Sequence, residues 1–316
     1  MTLARRFTLD RNLVHRFGIV AVLLLISGLL AATTDSFATA SNLTNVARQV
    51  SINGILAVGV TFVLLTGGVD LSLGSVVALS GVVCALFAHP GEHALLVPIG
   101  MGLLTGGLCG LLNGVLVTRG GIAPFIVTLG MMTVARGLAL ILSGGKPVAD
   151  MTPALTDLAG DVGPLPIPLL CFALVALVSW VFLGRFRLGR HLYAVGGNEP
   201  AARAAGVSVP KVKLFAYGLC GLLTGLAGVV LAARITTGQP NAGQAYELDA
   251  IAAVVIGGTS LSGGVGGVLG TILGVLLIGI INNGLDLLSV SSYYQAVIKG
   301  VIIVGAVWLD RRQARS

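Results

Sequence analysis

Three ionisable side chains, Asp70, Arg136 and Lys299, fall in or beside long apolar runs. A charge at the middle of a bilayer costs about 2.5–3.5 kcal/mol on insertion scales, so such a group faces a cavity or a partner. Asp70 follows Gly67-Gly68-Val69, a break between two runs, where it either lines a polar path or caps the next helix. Arg136 and Lys299 lie near the outer ends of their runs, and a long side chain there can reach the interface. Ser72, Asn113, Thr128, Asn282 and Asn283 add hydroxyl and amide groups. Such groups bind a neutral, hydroxyl-rich solute by hydrogen bonds alone. With Asp70 they form the candidate translocation pathway. None of these residues builds the chain of acids that a proton relay requires.

Catalytic chemistry finds no support. No nucleophile–base or metal-ligand constellation is visible, and Cys84, Cys109, Cys171 and Cys220 lie singly in apolar runs as small buried hydrophobes. No G-x-x-x-x-G-K-[ST] occurs, so the chain lacks the usual cradle for ATP phosphates. The expectation is a protein that is not an enzyme, with no metal and no cofactor of its own.

The most polar stretch is Arg185–Lys213, RFRLGRHLYAVGGNEPAARAAGVSVPKVK. It holds Arg185, Arg187, Arg190, Arg203, Lys211 and Lys213 against the single acid Glu199. Inside it lies a short helix signal: Asn198 or Glu199 to cap, Pro200 in the first turn, Ala201 to Ala205 as helix formers, and Gly206 as the stop. A helix of roughly seven residues does not persist alone. It packs on its own protein or serves as a peg for a partner.

Those residues must be positioned by membrane helices. Hydrophobic residues make up 55% of the 316-residue chain and charged residues only 10%, against about 25% charged in soluble domains. Ten apolar runs follow one another at about 17–32, 50–66, 71–88, 95–118, 122–143, 166–184, 213–233, 249–260, 265–285 and 293–309. The first, preceded by arginines and followed by Ala38-Thr39-Ala40, imitates a secretory signal; ahead of so many later runs it reads as an uncleaved span. With the amino terminus inside, the cytoplasmic segments hold Arg5, Arg6, Arg11, Arg16, Arg119, the six basic residues of 185–213, Arg311, Arg312 and Arg315. Outside lie only Arg48, Lys146 and Arg234. An excess of Lys and Arg marks the cytoplasmic side. The net charge of +7 therefore reports cytoplasmic loops rather than a nucleic-acid surface. The fold class expected is an all-α polytopic membrane protein of about ten transmembrane helices, one domain over 1–316, with both termini cytoplasmic.

An internal echo joins Gly67-Gly68-Val69-Asp70-Leu71-Ser72-Leu73-Gly74 to Gly257-Gly258-Thr259-Ser260-Leu261-Ser262-Gly263-Gly264, and Asn113-Gly114 to Asn283-Gly284. Glycine-interrupted segments in corresponding places of two halves point to a transport path. The halves would be about 50–143 and 213–309. Gly-rich breaks that merely turn between helices are the plainer alternative.

The stretch Gly189-Arg190-His191-Leu192-Tyr193-Ala194-Val195-Gly196-Gly197-Asn198-Glu199, followed by Ala201-Ala202-Arg203 and Gly206-Val207, resembles the signature of ABC-importer permeases for monosaccharides, of the ribose-permease type. The likeness extends over nearly the whole chain, through Gly67–Ser72, Pro124–Gly130 and Gly257–Thr259. It implies a homodimer of permease subunits in the bacterial cytoplasmic (inner) membrane. It further implies a cytoplasmic ABC ATPase that holds the ATP and magnesium, and a periplasmic or extracellular sugar-binding protein. In related importers a loop helix with an E-A-A-x-x-x-G pattern docks on the ATPase. Glu199, Ala201, Ala202 and Gly206 match it, with Pro200 inserted after the Glu. The resemblance thus makes 185–213 the coupling loop, with Asn198, Glu199, Pro200, Ala201, Ala202, Arg203 and Gly206 as its contact residues. The competing reading is a stand-alone, ion-coupled secondary transporter of a small polar solute. The internal echo and Asp70 favour it; the capped loop helix and the lack of further buried carboxylates oppose it.

Overall fold

A computed structural model describes residues 11–315, so Arg5 and Arg6 lie outside the described residues. The chain opens with α1 (Arg11–Thr33), α2 (Ala40–Leu65), α3 (Leu73–Leu86), α4 (Leu96–Thr118) and α5 (Pro124–Ser143). A loop of small elements follows: α6 (Pro153–Thr156), a 3-10 turn (Asp157–Ala159) and the antiparallel ribbon of β1 (Asp161–Val162) and β2 (Leu165–Pro166). Then come α7 (Ile167–Arg185), α8 (Arg187–Gly197), α9 (Glu199–Ala204), α10 (Val209–Ile235), α11 (Tyr246–Ile256), α12 (Val268–Leu287) and α13 (Ser292–Arg315).

Each apolar run carries a helix, with ends set by local chemistry. α2 begins well before residue 50 because Thr39 caps it, its Oγ1 accepting the Asn42 N–H at 3.3 Å. Six helices, α2, α4, α5, α7, α10 and α12, are long and apolar enough to cross a membrane. The apolar part of α1 and the whole of α3 are shorter. The eleven residues of α11 extend about 16 Å, near half the hydrocarbon thickness.

α2 is the central post. From Val50 to Leu65 every residue is buried, against α7, α10, α11 and α12. The closest helix pair is α4 with α10. Gly102, Gly106, Gly110 and Gly114 put one glycine on each turn of the same α4 face. A Cβ on Gly106 would overlap the Gly221 carbonyl of α10, and one on Gly110 the Tyr217 carbonyl. Small residues at four-residue spacing let helix backbones touch in lipid, where dispersion replaces the hydrophobic drive.

Two connections are broken in a similar manner. α2 is followed by the irregular segment 66–72 before the short α3, and α10 by the irregular segment 236–245 before the short α11. The second is held from α5: Arg136 donates to the Pro240 carbonyl and, at 2.9 Å, to that of Ala242. Of the two readings for Arg136, a partner or the interface, the structure gives a partner: it satisfies carbonyls that a helix would otherwise have bonded internally. Lys299 of α13 likewise has a partner, Asp249 of α11, at 2.9 Å.

Loop contacts fall into two sets. Val148 pairs with Gly238, Thr152 N–H donates to the Ala88 carbonyl at 2.7 Å, and Arg48 pairs with Asp161 at 2.7 Å. In the second set, Gly264 N–H donates to the Leu65 carbonyl at 3.0 Å, and Tyr193 O–H to the Gly266 carbonyl at 3.1 Å. The first joins loops expected outside, the second loops expected inside.

Candidate functional site

Residues 185–213 form two helices rather than one. α8 was not expected from the sequence. Its Leu188, Leu192 and Val195 recur at helical spacing and pack onto the core, with Leu192 and Val195 fully buried, while Arg187 and Arg190 are exposed. α9 is the short helix expected here. Asn198 is its cap, the side-chain Oδ1 accepting the Ala201 N–H at 3.0 Å. Pro200 occupies the first turn. Gly206 closes the helix with φ +82°, a left-handed conformation that costs glycine nothing. The Gly206 and Val207 amides return to the carbonyls of Arg203 and Ala202 at 3.0 Å each.

Glu199 does not cap; it grips. Its carboxylate takes Lys213 at 2.7 Å and Arg203 at 2.9 Å, tying α9 to the first turns of α10. The Lys213 hydrogen bond, helped by Arg203, holds the Glu199 carboxyl below its ordinary range. Ala202 faces inward and is buried. Glu199, Pro200, Arg203 and Ala204 line a shallow groove on the other side. The outcome is a rigid, half-exposed knob.

The six pathway candidates are all buried, in three separate places. Asp70, Ser72 and Asn113 come together. Asp70 Oδ1 accepts the Ser72 N–H at 2.9 Å and its Oγ–H at 2.6 Å, and Asn113 Nδ2 donates to Ser72 Oγ at 3.2 Å. Asn282 of α12 donates to Asp249 at 3.2 Å, beside Lys299. Asn283, next in sequence, exchanges two amide hydrogen bonds with Asn42 of α2, at 3.0 and 2.8 Å. Thr128 stands apart, its hydroxyl donating to the Pro124 carbonyl of its own helix at 2.9 Å.

The family described as "Branched-chain amino acid transport system / permease component" matches residues 42–307. The chain belongs to that family. It is 44% identical to the ribose import permease protein of Escherichia coli (strain K12) over 314 residues, 98% of this chain and 97% of the relative. The ribose import permease protein of Bacillus subtilis (strain 168) is 45% identical over 296 residues, 90% of this chain and 89% of the relative. The D-allose transport system permease protein of Escherichia coli (strain K12) is 40% identical over 296 residues, 93% and 90%. No solved structure matches the chain.

This permease is accordingly a membrane-spanning transport component, not an enzyme, and a multi-pass protein of the bacterial inner membrane. Two polar residues of these networks, the buried Asp249 and the half-buried Asn42, escaped the sequence reading. Asp249 opens the eighth apolar run, and a carboxylate there carried the same signal as Asp70. Asn42 lay in a stretch read as a polar loop, since nothing in its composition shows that α2 begins at Ala40.

Proposed function

We propose that this permease translocates a monosaccharide of the ribose class. It acts as one of two identical copies, driven by a cytoplasmic ATPase that holds ATP and magnesium and fed by an external sugar-binding protein. The observation that carries the reading is 44% identity to a ribose import permease over 98% of the chain. The amino-acid transport description belongs to a broader family, and near-full-length identity to sugar permeases weighs more than it. The α8–α9 knob supports the same reading, because a chain without a phosphate cradle needs a surface on which an outside motor can push. Substrate recognition through neutral amides and hydroxyls suits a polyol.

In this reading all ten apolar runs reach across or into the membrane, with both termini cytoplasmic. α2–α5 and α10–α13 are then related halves running in opposite senses. In support, each half begins with its longest helix, of 26 and 27 residues, then has an irregular segment and a short helix of 14 and 11 residues. Each continues into a long helix that carries an Asn-Gly pair about one turn before its end, Asn113-Gly114 or Asn283-Gly284. Single cysteines at Ser36 and Thr156 should label from outside and one at Ser208 only after permeabilisation; external labelling at Ser208 would overturn this topology.

The function is tested in liposomes holding the permease with its ATPase and binding protein. Radiolabelled ribose should accumulate with ATP and not without it, and leucine should not accumulate. Accumulation by the permease alone under a sodium or proton gradient would make it an ion-coupled transporter instead.

A further inference from the structure

Three segments distant in sequence meet at one point: the end of α2, the loop between α11 and α12, and the last turn of α8. The Leu65 carbonyl accepts the Gly264 N–H at 3.0 Å. A Cβ on Gly196 would overlap that same carbonyl oxygen and stand 2.5 Å from Gly264 N. A Cβ on Gly263 would stand 2.8 Å from Gly67 N and 2.9 Å from Gly196 Cα, and one on Gly264 would stand 2.6 Å from Gly197 Cα. Backbone therefore meets backbone with no side chain between them. One turn before Gly196, Tyr193 O–H donates to the Gly266 carbonyl at 3.1 Å. Such a contact has no rotamer to absorb a push, and close-packed matter passes displacement on.

We propose that this glycine contact is the joint through which motion of the α8–α9 knob reaches both broken connections, with Gly196 and Tyr193 as positioning residues for the transport step. The proposal rests on the docking role given above to α9 and its flanking residues Asn198 and Gly206. α9 follows α8 after Asn198 alone, so a partner that moves α9 moves α8 with it. On one side of the joint lies segment 66–72, which carries Asp70 and Ser72 and starts α3; on the other lies 257–267, which starts α12. A shift at Gly196 thus acts on a short helix of one half and a long helix of the other together.

A matched control sits one residue away, since a Cβ on Gly197 meets nothing within 4 Å. The experiment measures ribose taken up per ATP hydrolysed by the reconstituted complex, together with the amount of complex assembled. Gly197→Ala should behave as wild type. Gly196→Ala should assemble and hydrolyse ATP yet lose about fivefold or more in ribose per ATP, the lower end of typical coupling factors between sites. Tyr193→Phe, which removes one hydroxyl, should lose about twofold or more, the lower end for one hydrogen bond. Unchanged ribose per ATP in Gly196→Ala overturns the joint. If that variant does not assemble, an unchanged ratio in Tyr193→Phe overturns it. Failure of the docking role itself shows separately: a Glu199→Ala, Gly206→Val double variant that keeps sugar-stimulated ATP hydrolysis would remove it, whatever Gly196→Ala does.

Discussion

Asp70 and Asp249 are buried carboxylates in corresponding places, each near the start of a short helix that follows an irregular segment. Each also sits in a network with an asparagine of the next long helix, Asn113 on α4 or Asn282 on α12. There the likeness ends. Asp249 faces an ammonium, Lys299 of α13. Asp70 has no cation partner among the described residues and is held by the N–H and hydroxyl of Ser72. The two therefore do different mechanical work. Asp249 ties three helices, α11, α12 and α13, and its charge requires α13 to stay. Asp70 holds Ser72, the residue just ahead of α3, and makes one indirect link to α4 through it, so segment 66–72 can travel with α3 without parting an ion pair.

The largest expected effect tests the tied site. Lys299→Met leaves Asp249 buried and uncompensated. Breaking one side of a buried pair costs about 3–5 kcal/mol, and the 26% exposure of the Lys299 side chain puts this case at the low end. Thermal unfolding in detergent should show the loss. Adding Asp249→Asn should recover most of it, and no recovery would mean that the ammonium, not the charge balance, matters.

Next in size is the site around Asp70. Asp70→Ala removes the acceptor of two hydrogen bonds and should cost about 1–3 kcal/mol. Asp70→Asn keeps an acceptor oxygen, discards a charge that no cation answers, and should cost less than Asp70→Ala in the same assay. If Asp70→Asn is as damaging as Lys299→Met, the two sites are not different in kind.

The sequence announced most of this framework. Every apolar run became a helix, and Asn198, Pro200 and Gly206 delimited α9 because caps and stops are local chemistry. Asp70 as a helix cap was one of its two readings, but the cap position of α3 is Ser72, and Asp70 bonds to Ser72 rather than to the helix. What stayed hidden depended on distant neighbours. That Arg136 holds the carbonyls of 240 and 242, or that Lys299 meets Asp249, is decided by how helices cross rather than by spacing along one of them. The echo of Gly67–Gly74 in Gly257–Gly264 was legible, but its meaning was not. One copy follows the long α2 and the other follows the short α11, and the copies meet where a Cβ on Gly263 would stand 2.8 Å from Gly67 N. They are two faces of one contact.

A smaller effect is expected at the amide exchange between Asn42 and Asn283. Polar links between membrane helices average about 0.6 kcal/mol, so Asn42→Ala should lower stability by about that amount, well below Lys299→Met. A loss as large as at Lys299 would make α2–α12, not α11–α13, the main tie.

The smallest concerns Glu199, a carboxylate that is paired like Asp249 but lies outside the membrane. Its carboxyl is held below the ordinary range by Lys213 and then Arg203. A depressed carboxyl contributes stability that is fully present above the unfolded value of about 4.3 and fades as pH falls through the lower folded value. Hydrogen exchange of residues 199–206 should thus be constant from neutral pH down to the usual carboxylate range, after correction for intrinsic rates, and rise below it. In Glu199→Gln that acid-dependent rise should be absent.

The most direct test of the account asks whether the ATPase sits on α9. A photoreactive phenylalanine analogue replaces Ala204, at the exposed groove of the knob, in the assembled importer, and irradiation is followed by identification of the cross-linked chain. The expected product joins the permease to the ATPase, while the same analogue at Thr156 yields none with it. A complex that transports ribose but gives no ATPase cross-link from Ala204, or gives one from Thr156 instead, would contradict the account.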